Sequence, residues 1–138
     1  MRRMVETEFS REFDHVGWRV EPEAEKRAKA LPTLSGDVIF YAAKEVVRNA
    51  ARHGRGSDPA RPLRLSVTVA WKDGLEICVA DDGVGMPTAA EATSATGQGL
   101  ALHGTMLAVI GGSLVTESRP RGGTVVTIFL PRERWEQR

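Results

Sequence analysis

The sequence predicts a two-layer α/β sandwich of the α+β type, in which a mixed, mostly antiparallel sheet carries its helices on one face. Two observations predict this fold class. A long stretch with helical periodicity lies in the first half of the chain, and short apolar strands separated by turns fill much of the second half. A chain of 138 residues can bury about 68% of its unfolded surface as one domain.

The composition excludes several classes of protein. Hydrophobic residues make up 41% of the chain and charged residues 27%, and no apolar run approaches the ~20 residues of a membrane span. The net charge of +1 is too small for a general nucleic-acid binder, although it allows one small polyphosphate to bind locally. We therefore expect no nucleic-acid partner and no membrane contact by this domain.

The cysteine content and the N-terminus favour an intracellular protein. Cys78 is the single cysteine and cannot form an intramolecular disulfide, and Met1–Glu6 lacks the apolar stretch of a signal peptide. The expected location is the cytoplasm. Whether a parent protein is anchored in a membrane is left open.

Residues 1–15 predict a short amphipathic helix, because apolar side chains recur at every fourth position. These side chains are Met1, Val5, Phe9 and Phe13. Trp18–Glu21 is long enough for a brief strand, and Pro22–Lys29 predicts a connector that is partly helical.

The strongest helix signal covers Val38–His53. Ser35 stands where an N-cap residue is expected, and Gly54 follows the last periodic residue as a stop signal. A loop rich in glycine and proline follows. This helix should pack on the predicted sheet.

The strands of the sheet come next. Polar and apolar residues alternate from Leu63 to Val69, as in a half-buried strand. The Lys72–Gly74 turn leads into Leu75–Ala80, whose continuous apolar character suits a central strand. Ser113–Glu117 and Thr124–Leu130 predict a final antiparallel pair.

Met86–Gln98 consists largely of Thr, Ala, Ser and Gly and has no periodic apolar face. A segment of this composition packs little, so we expect a mobile lid. Leu100–Ile110 then predicts a second long helix, which Gly111 and Gly112 close.

One edge of the first long helix gathers groups suited to chemistry. At about 100° per residue, Glu45, Asn49 and Arg52 line up beside the apolar stripe, with His53 next to them. An amide oxygen suits a hard cation, a carboxylate can deprotonate a water or a hydroxyl, and a basic side chain can bind phosphate. The alternative is a solvated flank, which is the usual environment of charged side chains on a helix.

A glycine-rich segment, Asp81–Met86, follows the predicted central strand. Asp-Gly after a strand commonly forms a hairpin, but no alternating strand follows here within hairpin distance. Gly83 and Gly85 permit the backbone to bend tightly around a flat ligand, and the Asp81 carboxylate can accept a hydrogen bond from an exocyclic amine such as that of adenine. Both interpretations stay open on these residues alone.

Two further glycine motifs are weak when taken singly. Gly97-Gln98-Gly99-Leu100 opens the second long helix, where unpaired N–H groups and the helix dipole favour an anion. Gly122-Gly123-Thr124 starts the last strand and by itself indicates only a turn. The order and spacing of all the motifs are more specific than any one of them.

Taken together, the motifs resemble the ATP-binding domain shared by sensor histidine kinases, DNA gyrase, the Hsp90 chaperones and MutL. Tyr41–His53 resembles the N box of the histidine kinases, Asp81–Met86 their first glycine box and Gly97–Leu100 their second. Ile110–Pro131 resembles the end of these kinase domains. The resemblance covers about residues 16–131 and implies a Bergerat-type fold with an ATP lid.

The resemblance implies a role for each matching residue. Asn49 would hold Mg²⁺, Asp81 would bind adenine, Glu45 would act as the base, and Thr124 would offer a hydroxyl near the adenine. ATP and Mg²⁺ are the implied cofactors. The other nucleotide-binding residues that it implies are Arg52, His53, Gly83, Gly85, Met86, Gly97, Gln98, Gly99 and Leu100.

The chain departs from the family pattern at several positions. Arg52 stands where many members have lysine, Ala101 stands where glycine is common, and no phenylalanine-containing box precedes the second glycine motif. The phosphoacceptor histidine of the family is also missing, because none of His15, His53 and His103 is followed by the acidic residue of that motif. A transferred phosphate would need an acceptor elsewhere.

The resemblance thus implies the catalytic ATP-binding domain of a sensor histidine kinase, formed by residues 16–138. Residues 1–15 would be the remnant of a linker to a dimerisation domain. The implied partners are that domain, which carries the phosphoacceptor histidine, and a downstream response regulator. Two alternatives stay open: an anti-sigma factor that phosphorylates a serine of an antagonist protein, and a binding module that signals through ATP-dependent ordering of Met86–Gln98 without phosphoryl transfer.

Overall fold

The computed structural model describes residues 2–85, 96–120 and 122–133. Within these ranges the helices are α1 (Arg2–Glu8), α2 (Pro22–Ala28), α3 (Thr33–His53) and α4 (Thr96–Val109). The strands are β1 (His15–Val20), β2 (Arg64–Trp71), β3 (Gly74–Asp81), β4 (Ser113–Ser118) and β5 (Thr124–Pro131). None of these described helices is long and apolar enough to cross a membrane.

The strands form one sheet in the order β1-β2-β3-β5-β4. β1 pairs with β2 in parallel, and the other three pairs are antiparallel. β2 and β3 are joined by the turn at Lys72 and Asp73, and Asp73 has the positive φ of 53° that such a tight turn requires. The prediction of a mixed, mostly antiparallel sheet with a central strand before Asp81 is confirmed.

One face of the sheet carries the core. Side chains at alternate positions of the central strands are buried and lie side by side, as in the row formed by Val67, Val79 and Val126. Apolar side chains of all four described helices join the same cluster. The helices therefore lie on one face, as the sequence predicted, and the fold has two layers.

The opposite face of the sheet stays half-exposed. In β3, Glu76, Cys78 and Ala80 are only partly buried, whereas Ile77 and Val79 are buried. The apolar run predicted a central strand, and the position of β3 confirms it. Only alternate residues enter the core, because the helices cover one face alone.

α3 begins earlier than the sequence predicts. It starts at Thr33, and Ser35 is a buried residue of its first turn, so the prediction of a Ser35 N-cap was wrong. Pro32 occupies the cap position with φ −58° and ψ 146°, and its carbonyl accepts the Gly36 N–H at 2.9 Å. The proline ring restricts φ to the value seen here, which favours an extended residue at the entrance of the helix.

The helix predicted over residues 1–15 was too long. α1 ends at Glu8, although Val5 and Phe13 are buried in the core as their spacing suggested. The chain leaves the helix to join the sheet. Asp14 donates its N–H to the Leu63 carbonyl at 2.8 Å, and the Asp14 carboxylate accepts the Leu63 N–H at 2.7 Å.

The predicted lid, Met86–Gln98, falls mainly outside the described residues, which exclude 86–95. Its last three residues belong to α4, which begins at Thr96, so the helix starts four residues before the predicted Leu100. Glycine weakens a helix by only about 1 kcal/mol per residue. The packing of α4 along α3 offsets this weakness at Gly97 and Gly99.

Candidate functional site

Asp81 is the last residue of β3 and lies opposite the first residue of β5, Thr124. Its side chain is 8% exposed, and its Oδ1 accepts the Gly83 N–H at 2.9 Å. The main chain of Thr124 donates a further hydrogen bond to the carboxylate. A carboxylate has about four acceptor positions, so these two bonds leave capacity for a donor on a ligand.

Burial raises the pKa of the Asp81 carboxyl above its ordinary value of 3.8. The negative charge of Asp82 acts in the same direction, whereas the hydrogen bonds from Gly83 and Thr124 and the charge of Arg119 act against it. The ionised carboxylate is thus held in an environment that solvates it poorly. A hydrogen-bond donor on a ligand would stabilise it there.

The glycine segment packs against the C-terminal end of α3. Val84 donates its N–H to the Gly54 carbonyl at 2.9 Å, and a Cβ on Gly83 would collide with the Gly54 backbone. Gly54 is the helix stop that the sequence predicted. Its φ of −61° is helical and could be adopted by any residue. Glycine is needed here because a Cβ would lie 2.5 Å from Leu63 Cδ1.

The turn between β4 and β5 covers the other side of the glycine segment. A Cβ on Gly123 would collide with the Asp81 carbonyl oxygen, and Gly123 has a φ of +98° that favours glycine. Gly85, with a φ of +93°, lies close to the Gly123 main chain. The Gly122-Gly123-Thr124 motif therefore forms a turn and also places Thr124, which is half-buried, beside Asp81.

The four residues predicted along one edge of α3 differ in exposure and in hydrogen bonding. The Glu45 carboxylate accepts a hydrogen bond from Arg48 at 3.1 Å, and its side chain is 13% exposed. Asn49 is half-buried, and its Nδ2 is buried without a hydrogen-bond partner in the described part of the chain. Arg52 and His53 are exposed in the last turn of the helix.

The remaining predicted residues lie on or near α4. The main chain of Gly97, Gln98 and Gly99 forms the first turn of this helix, where N–H groups lack intrahelical partners. Leu100 is half-buried and packs against the core. Met86 lies outside the described residues.

Two arginines that the motif analysis did not single out also contact the glycine segment. Arg61 Nη2 donates to the carbonyls of Asp82 and Gly83 at 3.3 and 3.1 Å, and Arg119 Nη1 donates to the Asp81 carbonyl at 3.1 Å. Both arginines lie in loops, at positions without a periodic pattern. No sequence signal separates them from solvated arginines.

The side chains present fit a magnesium nucleotide better than a metal held by protein alone. Among the described residues, no three His, Cys, Asp or Glu side chains gather into a metal cluster. A cation at Asn49 would therefore need oxygen ligands from a phosphate chain as well. A phosphate oxygen could also accept from the orphaned Asn49 Nδ2, which would satisfy both ends of the amide.

The fold and this arrangement define a class of protein: an α+β nucleotide-binding domain with a buried aspartate on a glycine segment that packs against a helix end. A family model described as "Histidine kinase-, DNA gyrase B-, and HSP90-like ATPase" matches residues 36–134. The chain belongs to this ATPase family, and membership implies ATP binding. A comparison with curated proteins gave no match.

Two solved structures from Erythrobacter litoralis show a similar fold. The histidine kinase domain of the EL346 blue-light activated histidine kinase is 18% identical with a TM-score of 0.64, over 88% of this chain and 56% of that one. The EL346 blue-light activated histidine kinase is 19% identical with a TM-score of 0.67, over 87% and 36%. This chain thus spans about half of the first protein and about a third of the second.

Proposed function

We propose that this chain is the catalytic ATP-binding domain of a sensor histidine kinase, which passes the γ-phosphate of ATP to a histidine on a separate domain. One observation carries the proposal. The buried Asp81 sits on a glycine segment that is hydrogen-bonded to the end of α3, the helix that also carries Asn49. The family membership and the similarity in fold to a histidine kinase domain support it.

Asp81 would recognise the adenine. Its carboxylate is shielded from water and has acceptor capacity beyond the hydrogen bonds from Gly83 and Thr124. The exocyclic amine of adenine is a donor that fits this acceptor, whereas the carbonyl oxygen that guanine has at the same ring position would face it as a second acceptor. The Thr124 hydroxyl would add a polar contact beside it.

The phosphates would bind near the C-terminal half of α3. Asn49 would hold Mg²⁺ through Oδ1, and the exposed Arg52 and His53 would meet phosphate oxygens together with the first-turn N–H groups of α4. Bound Mg²⁺ supplies neutralising charge on the phosphate oxygens. Glu45, oriented by Arg48, would accept the proton of the attacking group.

The phosphate would leave the domain for a partner. In this proposal a dimerisation domain carries the acceptor histidine, and a response regulator receives the phosphate afterwards. The division of the chain into residues 1–15 and 16–138 belongs to the same proposal. Residues 2–14 would lead toward the dimerisation domain while Val5 and Phe13 stay packed in the core.

The test is to incubate the chain with γ-labelled ATP and Mg²⁺, alone and with a separately made histidine phosphoacceptor domain encoded next to it. We expect acid-labile label on the added domain and none on this chain. Acid-stable label on the serine of an added antagonist protein would instead show an anti-sigma kinase. ATP binding with no transfer to either protein would show a binding module and contradict the proposal.

A further inference from the structure

Three consecutive carbonyls of the glycine segment each accept a hydrogen bond from an arginine side chain. Arg119 donates to Asp81, and Arg61 donates to Asp82 and Gly83. The two arginines come from different loops, one before β2 and one between β4 and β5. Two separate parts of the chain, one next to each neighbour of β3 in the sheet, therefore contact the same short stretch of main chain.

The N–H groups of the same segment are bonded as well. Asp82 donates to the Arg64 carbonyl at 3.3 Å, Gly83 to the Asp81 carboxylate at 2.9 Å and Val84 to the Gly54 carbonyl at 2.9 Å. All six main-chain groups from the Asp81 carbonyl to the Val84 N–H are thus satisfied. These main-chain groups therefore have no need of a ligand, whereas the Asp81 carboxylate can still accept a hydrogen bond from one.

The main chain of Arg61 is held by Arg55 and Asp58, and Arg55 also contacts the N-terminal part of the chain. Arg55 donates through Nη1 to the Arg61 carbonyl and to Asp14 Oδ2, and through Nη2 to the Glu12 carbonyl at 3.0 Å. The Arg61 N–H donates to the Asp58 carbonyl at 3.1 Å. Within the described residues neither Arg61 nor Arg119 forms an ion pair. Arg61 Nη2 and Arg119 Nη1 donate to the glycine segment, whereas Arg61 Nε is buried without a partner there.

We propose that Arg61 and Arg119, the arginine clamp, are positioning residues that hold the main chain of Asp81–Gly83 in the conformation that presents the Asp81 carboxylate to the adenine. This inference rests on the proposed function. A guanidinium bound to carbonyl oxygens restrains the backbone without blocking the carboxylate. Arg61 carries the larger share, because it holds two carbonyls and is half-buried, whereas Arg119 is exposed.

The test compares Arg61→Gln and Arg119→Gln with Arg64→Gln, a matched control. Arg64 has an exposed side chain in the same region, and only its main chain pairs with Asp82. By calorimetry we expect Arg61→Gln to weaken Mg-ATP binding about tenfold, Arg119→Gln to weaken it less, and Arg64→Gln to leave it unchanged. GTP affinity should stay as it is in all three, because the clamp serves the contact with adenine.

Amide exchange provides the second measurement. The Gly83 and Val84 N–H groups should exchange faster in both clamp variants than in the control, and lysine at either position should restore part of the protection and of the ATP affinity. Should a glutamine variant unfold, its lysine variant is judged against the wild-type chain by the same criteria.

The proposal is overturned if the clamp variants bind ATP as the control does, or if they lose ATP and GTP in equal measure. A wild-type chain that binds no ATP would refute the proposed function instead. In that case unchanged exchange at Gly83 and Val84 in the variants would overturn the clamp as well, and faster exchange would support its hold on the segment.

Discussion

The glycine segment and the last turn of α3 differ in how far the protein alone completes them. From the Asp81 carbonyl to the Val84 N–H, every main-chain group has a hydrogen-bond partner. The side chains of Arg52 and His53, in contrast, are exposed and form no hydrogen bond or ion pair with the described residues. The protein alone thus preorganises the glycine segment, whereas the side chains of Arg52 and His53 lack such restraints.

The largest expected effect comes from adding a methyl group to the preorganised glycine segment. Gly83→Ala would push a Cβ into the Gly54 backbone, which cannot move aside as a side chain would. We expect a loss of about 1–3 kcal/mol in the free energy of unfolding, measured by denaturant titration, together with loss of ATP binding.

Gly104→Ala in α4 is the matched control for that change. A Cβ at Gly104 would meet nothing within 4 Å, and alanine is the better helix former. The control should gain up to about 1 kcal/mol of stability and keep its ATP affinity. Equal losses in the two variants would show that the close packing at Gly83 does not matter.

A second change tests the carboxylate while leaving its surroundings intact. Asp81→Asn replaces an acceptor with an amide that can present a donor to the adenine amine, which should weaken ATP binding by about 1–3 kcal/mol, or roughly tenfold to a hundredfold. Asp82→Asn removes the same charge from a neighbour whose carboxylate bonds only the Arg64 N–H among the described residues, and this variant should bind ATP normally. Calorimetry on both variants measures the difference.

The Asp81→Asn variant also has an expected effect on the pH dependence of stability. Burial raises the pKa of Asp81 in the fold above 3.8, so its stabilising contribution is present below pH 3.8 and is lost as the pH rises through the raised value. The variant should lack this decline and melt no lower than the wild type at neutral pH. A lower melting temperature at neutral pH would mean that the carboxylate serves the fold.

The smallest expected effect concerns Asn49, on the helix that also carries Arg52 and His53. Asn49→Ala should abolish the gain in ATP affinity that Mg²⁺ provides, about 1–2 kcal/mol for one charge-assisted contact. Asn49→Asp keeps an oxygen ligand and should retain the metal dependence. Calorimetry with and without Mg²⁺ decides, and equal metal dependence in the wild type and Asn49→Ala would remove Asn49 from the cation site.

The sequence indicated the elements of the candidate site well because glycine and helix periodicity leave local signals. The Asp81–Met86 motif, the helix that carries Asn49 and the stop at Gly54 follow from the chain itself, and the structure confirms that the helix ends at this glycine. The limits of α1 and the start of α3 were predicted less well. The chain after α1 is held by the hydrogen bonds between Asp14 and Leu63, and α3 begins after Pro32, whose ring restricts φ. Neither effect leaves a signal in the spacing of apolar residues.

The order of the elements, the mixed sheet and the motifs of the ATPase family could be predicted from the sequence, because they depend on local backbone preference and on which side chains leave water. The contacts between Glu45 and Arg48, between Gly83 and Gly54, and from Arg61 and Arg119 to three neighbouring carbonyls became visible only in the folded structure. The contacts of Gly54 with Gly83, of Arg61 with Gly83 and of Arg119 with Asp81 join residues about twenty to forty positions apart in the sequence. A loop arginine has no periodicity that reveals its partner, so the folded sheet alone could bring these groups together.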